Sequence, residues 1–118
     1  MALLAAAACA PEPARPRTFG PAEIAKGQAL FETNGCPACH GHEGHGDGQL
    51  APTLTPTPRD FRHPDAFKGP RTIDAVAAVI ARGLPAFPTA MPALNTLDQD
   101  TRELIAAYVL SIGAPPTP

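Results

Sequence analysis

Two cysteines and a histidine lie close together in the pattern Cys36-x-x-Cys39-His40. This spacing, with a histidine directly after the second cysteine, is typical of covalent haem attachment. The two thiols form thioether bonds with the vinyl groups of the haem, and the histidine coordinates the iron. We therefore expect Cys36 and Cys39 to hold one haem c and His40 to be an axial ligand of its iron.

A second axial ligand is predicted far downstream in the chain. Met91 is the only methionine after the initiator, and Pro88 and Pro92 stiffen the segment around it. A weakly bound thioether needs a loop that holds it in place, so we predict that Met91 binds the iron opposite His40. The alternatives are that His63 is this ligand, or that Met91 packs in the core.

The cysteine pair also allows two other chemistries. A redox disulfide of the thioredoxin type lies at the end of a strand in a βαβ unit, a pattern that this sequence lacks. A structural zinc site needs four ligands, which Cys36, Cys39 and two nearby histidines could supply. We expect His42 and His45 to be exposed loop residues, too close to the cysteines to reach the opposite haem face. The zinc site stays open as an alternative.

Length and composition indicate one small domain with a thin core. The chain has 118 residues, with five phenylalanines, one tyrosine and no tryptophan. A large apolar cofactor would supply the missing core. The formal net charge is −2 and no stretch is strongly basic, which argues against nucleic-acid binding.

The first nine residues form a short apolar run that ends at Cys9. The run resembles the end of an export signal, and Cys9 resembles the lipidated cysteine of a bacterial lipoprotein. The alternative is that Cys9 is an incidental thiol. The run is far shorter than the roughly 20 residues of a transmembrane helix. Residues 10–20 are Pro-rich and predict an extended linker between anchor and domain.

Apolar periodicity and end signals predict three main helices. The first spans residues 21–33, and the second spans residues 72–82 with Thr72 as its cap. The last begins at a capping box made by Thr96 and Gln99. Residues 41–70 are rich in glycine and proline and predict a long loop, which a packed haem would organise. No segment alternates as a strand does, so the predicted fold class is all-α.

These features resemble a class I cytochrome c of the small bacterial single-haem kind. The resemblance covers residues 21–113 and leaves 114–118 as a flexible tail. It rests on these sequence features: the cysteine–histidine motif, the Gly-rich loop 44–48, Pro52-Thr53-Leu54, Met91-Pro92 and a closing helix with Tyr108. It implies a cytochrome c-like fold of three to four helices wrapped around one haem.

The resemblance also implies roles for individual residues. The carbonyl of Pro52 would accept a hydrogen bond from the outer N–H of His40, which fixes the ring. Leu54 would pack on the haem, and Arg59 would either neutralise a haem propionate or be a solvated loop charge. In the family the first and last helices cross at a small residue and aromatic residues, and these positions fall on Gly27, Phe31 and Tyr108.

By this resemblance the chain is an electron carrier and not an enzyme, because His40 and Met91 together leave no open position on the iron. We expect one electron to pass through an exposed haem edge between respiratory redox proteins, such as a donor dehydrogenase and a terminal oxidase. The expected location is the periplasm or the outer face of the cytoplasmic membrane. The alternatives are a non-catalytic haem subunit of a larger dehydrogenase or oxidase complex, and a haem sensor or peroxidase.

Overall fold

The computed structural model describes residues 18–67, 69–84 and 91–113. These ranges form four α-helices: α1 (Pro21–Thr33), α2 (Pro37–His40), α3 (Ile73–Arg82) and α4 (Gln99–Ile112). Two short 3-10 helices, Ala51–Thr53 and Pro64–Ala66, lie in the long loop between α2 and α3, and the same ranges contain no β-strand. The predicted all-α class is confirmed.

Some of the predicted features fall outside the described residues. These are Cys9 with the rest of segment 1–9, the linker up to residue 17, Pro88 and the tail 114–118. Within the part that the structure does describe, no helix has the length and apolar character needed to cross a membrane.

The ends of α1 are set by local hydrogen bonds. Pro21 occupies the first turn, where its missing N–H costs nothing. The backbone N–H of Gly20 donates to the carboxylate of Glu23 at 2.9 Å. At the other end, the side-chain amide of Asn34 donates to the carbonyl of Leu30 at 2.8 Å. The helix thus has the predicted bounds, 21–33.

Helices α3 and α4 begin at polar caps. The hydroxyl of Thr72 accepts a hydrogen bond from the N–H of Ala75 at 3.2 Å, as predicted. For α4, the cap is Asp98, whose carboxylate accepts from the N–H of Thr101 at 2.7 Å. The predicted capping box on Thr96 and Gln99 is therefore wrong. A charged carboxylate binds the orphan N–H groups and the positive end of the helix more strongly than a hydroxyl does.

Helices α1 and α4 cross in close contact. Gly27 lies against the backbone of α4, and a Cβ atom at this position would overlap the carbonyl of Leu104. Next to this contact the rings of Phe31 and Tyr108 meet edge to face, with centroids 5.2 Å apart and planes at 67°. The small and aromatic residues expected at the crossing are present there.

The core lies between α1, α3 and α4 and is small. Phe31 and Ile105 are its largest fully buried side chains. Much of the rest is alanine, with Ala77 of α3 and Ala106 of α4 almost inaccessible to solvent. Since alanine buries little area, these helices do not fill the interior by themselves. They enclose a cavity instead.

Candidate functional site

The cysteine–histidine motif lies on α2, a single helical turn. Cys36 is its N-cap residue, and the N–H of His40 donates to the carbonyl of Cys36 at 3.0 Å. Gly41 ends the turn with a φ of 82°, a conformation that residues with a side chain rarely adopt. One turn is enough to bring Cys36, Cys39 and His40 close together, because residues three and four apart lie on the same side of a helix.

The Gly-rich loop that follows holds α2 in place. The N–H groups of Gly46, Gly48 and Leu50 donate to the carbonyls of His40, Cys39 and Ala38, at 2.8, 3.1 and 2.8 Å respectively. These are among the last carbonyls of the helix, and they accept no hydrogen bond from within the helix. A loop folded back on α2 therefore replaces the partners that a longer helix would provide.

A cavity of about 800 Å³ opens beside α2. Its lining brings together Cys36, Cys39, His40, Met91, Leu54 and Arg59, six of the residues that the sequence singled out. Most of the remaining wall is apolar and comes from the helices and loops around it: Phe31, Phe61, Phe67, Val76, Val79, Ile80, Leu84, Leu94, Ile105 and Val109. We call it the central cavity. Its volume is in the range of about 300–1,000 Å³ typical of cofactor and ligand sites.

The imidazole of His40 is partly buried, which favours its neutral form. Burial lowers its pKa because it disfavours the charged ring, and the positive charge of Arg59 acts in the same direction. The backbone of Arg59 beside the ring opposes this shift. A neutral imidazole is the form that binds a metal ion. Its Nδ1 atom is buried without a hydrogen-bond partner.

Pro52 is not brought to the central cavity. It is exposed in the 3-10 helix Ala51–Thr53, and its carbonyl forms no hydrogen bond with Nδ1 of His40, which has no partner. The backbone that reaches the ring is that of Arg59. The role that the resemblance implies for Pro52 stays a prediction.

Met91 lines the central cavity and is held there by a short antiparallel bridge. It forms an isolated antiparallel bridge with Leu84, whose N–H donates to the carbonyl of Met91 at 3.1 Å. Gly83, just before Leu84, lets the chain turn out of α3 with a φ of 71°. The N–H of Leu94 then donates to the carbonyl of Ile80 at 2.9 Å. The backbone at Met91 and just after it is thus tied to the end of α3 and to the residue that follows this helix.

Of the other three histidines, His42 and His63 are exposed as surface residues, whereas His45 is partly buried and not exposed as expected. His42 contacts the Glu32 carboxylate at 2.9 Å, His45 lies 3.8 Å from Glu43, and none of the three remaining histidines lines the central cavity. His63 is exposed, so the structure does not bring it to the site as the alternative ligand. The described ranges contain no group of three or more His, Cys, Asp or Glu residues that could hold a metal ion.

The thiol of Cys36 is protonated at neutral pH. Burial raises the pKa of Cys36 to about 11, whereas zinc binding and disulfide exchange need the thiolate. The zinc alternative lacks a grouped ligand set among the described residues. The disulfide alternative lacks its βαβ unit, since these residues form no strand.

The cytochrome c family model matches residues 24–113 of the chain. The chain belongs to the cytochrome c family. Proteins of this family bind haem c, an iron porphyrin, covalently and use it to transfer electrons. The same holds for this cytochrome.

The fold is also similar to that of a solved structure. It is titled Kuenenia stuttgartiensis reducing HAO-like protein complex Kustc0457/Kustc0458, and the cytochrome is similar to one of its chains at 30% identity with a TM-score of 0.71. The match covers 83% of the cytochrome and 47% of that chain, so the cytochrome spans about half of its length. No curated protein matches the sequence.

The donor set in the central cavity fits haem c. Two thiols on one turn, a neutral imidazole and a thioether line a single, mostly apolar space. Cys36 and Cys39 would carry the covalent bonds, and His40 and Met91 would be the axial ligands. When bound, the haem supplies a one-electron couple at its iron.

Two residues of the site were not predicted from the sequence. Arg82 lines the central cavity as a second arginine besides Arg59, although a basic residue in the last turn of a helix usually indicates only an interaction with the helix dipole. Phe61 is 7% exposed, and its ring stacks on that of His40. The one available signal for Phe61 was a large aromatic residue in the stretch 55–65, which otherwise consists of polar residues and proline.

Proposed function

We propose that this cytochrome is a single-haem electron carrier that passes one electron between two redox proteins and catalyses no reaction of its own. The observation that carries this proposal is the presence of both His40 and Met91 in the lining of the central cavity. With both side chains bound, the iron has no position open to a substrate. A methionine ligand also raises the reduction potential, which suits a carrier that donates to an oxidase.

The chain's own residues prepare the site for electron transfer. The apolar wall would keep water away from a bound haem iron. The loop contacts of α2 and of Met91 would hold both ligands in place. Arg59 and Arg82 are the arginines of the lining, and we assign them to the haem propionates.

Carbon monoxide tests the absence of an open position. The reduced holoprotein is mixed with carbon monoxide, and the optical change is followed in time. We expect binding that is slow or incomplete, because Met91 must leave first. Rapid and complete binding, at the rate of an open five-coordinate haem, would contradict the proposal and favour the sensor or peroxidase reading.

A second candidate is a non-catalytic haem subunit of a larger complex. It is favoured by one finding, that the similar solved chain comes from a structure titled as a protein complex. Purification from native membranes under mild conditions separates the two readings. A free carrier elutes alone at the mass of one chain, whereas a subunit elutes with a dehydrogenase or oxidase partner in fixed ratio.

We also propose that the protein is exported and is anchored by a lipid at Cys9. Support comes from the apolar run that ends at this cysteine and from the Pro-rich linker after it. Covalent attachment of haem c and an extracytoplasmic location are compatible. Mass spectrometry of the protein from its native host tests the anchor. A diacylglyceryl modification on Cys9 supports it, and an unmodified Cys9 in an otherwise intact chain contradicts it.

A further inference from the structure

The plane of the His40 imidazole is held by a ring contact. Its centroid lies 4.6 Å from that of Phe61, and the two planes are 25° apart, which is a stacked arrangement. A metal-binding histidine usually donates its other N–H to a carbonyl or carboxylate, and that bond sets the ring orientation. Here the backbone of Arg59 lies beside the ring, but the buried Nδ1 forms no hydrogen bond with it or with any other group in the structure. Stacking on Phe61 is therefore a contact that can set the orientation in place of that bond.

Phe61 is itself fixed from several sides. Its N–H donates to the carbonyl of Gly44 at 2.8 Å. A Cβ atom at Gly44 would lie 2.8 Å from Cδ2 of Phe61, and one at Gly113 would lie 2.6 Å from the Phe61 carbonyl. The ring of Phe67 packs beside it at 5.9 Å. The Gly44 loop and the residue after α4 thus hold Phe61 as a rigid platform.

We propose that Phe61 is a positioning residue that sets the orientation of the His40 imidazole on the iron. The inference rests on the proposed role of His40 as axial ligand. It does not depend on the identity of the redox partners. The orientation of an axial imidazole sets the anisotropy of the ferric iron, so a change of ring plane is visible spectroscopically even where the haem stays attached. A residue that only fills space would leave this signature unchanged.

The test compares Phe61→Leu with Phe67→Leu in the ferric holoprotein. Both substitutions remove one ring from the lining of the central cavity, but only Phe61 stacks on His40. The readouts are the g-values in electron paramagnetic resonance and the pattern of paramagnetically shifted haem methyl signals. We expect Phe61→Leu to change both, and Phe67→Leu to keep the wild-type pattern while losing thermal stability. Phe61→Tyr retains the ring and should retain the wild-type g-values.

The inference is overturned if Phe61→Leu has wild-type g-values and methyl shifts and loses only stability. If this variant does not fold, the wild-type reduced protein decides. Nuclear Overhauser contacts between the Phe61 ring and the His40 imidazole support the inference, and their absence overturns it. Failure of the proposed function gives a different result. The wild-type protein itself would then lack the spectroscopic band of sulfur bound to iron, before any substitution at position 61.

Discussion

Gly27 of α1 lies directly against the backbone carbonyl of Leu104 in α4, so closely that even a methyl group would overlap it. This contact determines how near the two helices approach. The Phe31–Tyr108 ring pair lies beside it, and Phe31 also lines the central cavity. A small residue at position 27 therefore sets the spacing of the frame that surrounds the haem.

Gly27→Ala should destabilise the protein. Overpacking against a backbone atom costs about 1–3 kcal/mol, while the higher helix propensity of alanine returns at most about 1 kcal/mol. Chemical denaturation of the holoprotein measures the net effect. The matched control is Gln28→Ala, an exposed position on the same helix, which should change the free energy of unfolding by less than about 0.5 kcal/mol. Equal stability of Gly27→Ala and wild type would contradict the close crossing.

The three cysteines should differ in their effect on haem attachment. Cys36→Ser and Cys39→Ser each remove one thioether bond, so they should weaken or abolish covalent attachment. Cys9→Ser should leave attachment intact, because Cys9 is far from the motif in the sequence. Haem staining after denaturing electrophoresis measures all three. Full staining of both motif variants, or loss of staining in Cys9→Ser, would contradict the assignment.

The cap of α4 should make stability depend on pH in the acid range. The hydrogen bond from the N–H of Thr101 holds the pKa of Asp98 below its ordinary value of 3.8. A carboxyl group with a lowered pKa in the folded state stabilises the protein above its unfolded pKa, and this contribution is lost as the pH falls through the folded value. Part of the stability should therefore disappear below about pH 4.

Asp98→Asn separates charge from capping. Asparagine is a good N-cap without a titrating group, so this variant should lose less stability than wild type when the pH falls from 5 to 3. Asp98→Ala removes the cap and should be less stable than Asp98→Asn at pH 7. Thermal unfolding at several pH values measures both effects. An identical pH dependence in wild type and Asp98→Asn would rule out a role for the Asp98 charge.

Met91→Ala should open the sixth position of the iron without releasing the haem. The covalent bonds do not involve Met91, so attachment should persist, while the loss of the thioether should lower the reduction potential. Carbon monoxide should then bind much faster than in wild type. Leu94→Ala, which removes an apolar side chain from the same lining, is the control and should keep the wild-type rate. An unchanged potential in Met91→Ala would show that Met91 is not the ligand.

The features set by short-range interactions could be predicted from the sequence. Pro21 and Thr72 begin their helices where predicted, because each signal acts within one helical turn. The predicted start of α4 was wrong because Thr96 and Asp98 are both good capping residues and lie only two positions apart. The local sequence pattern does not show which of the two residues caps the helix, whereas the positive end of the helix dipole favours the carboxylate of Asp98.

The surroundings of His40 could be predicted only in part. The motif predicts that Cys36, Cys39 and His40 act together, because their spacing is local. The stacking of Phe61 on His40 depends on the path of the loop between them, and a loop has no periodicity from which its path can be read. The backbone of Arg59 beside the ring was likewise not predicted, and the role that the resemblance implies for Pro52 stays a prediction.

The optical spectrum of the holoprotein tests the central claim most directly. The protein is exported by a host that attaches haem to cysteines, and spectra are recorded in the oxidised and reduced states. Ligation by His40 and Met91 predicts sharp reduced bands and, in the ferric protein, the weak long-wavelength band of sulfur bound to iron. A haem spectrum that lacks this band would contradict Met91 ligation, and a colourless protein would contradict haem attachment altogether.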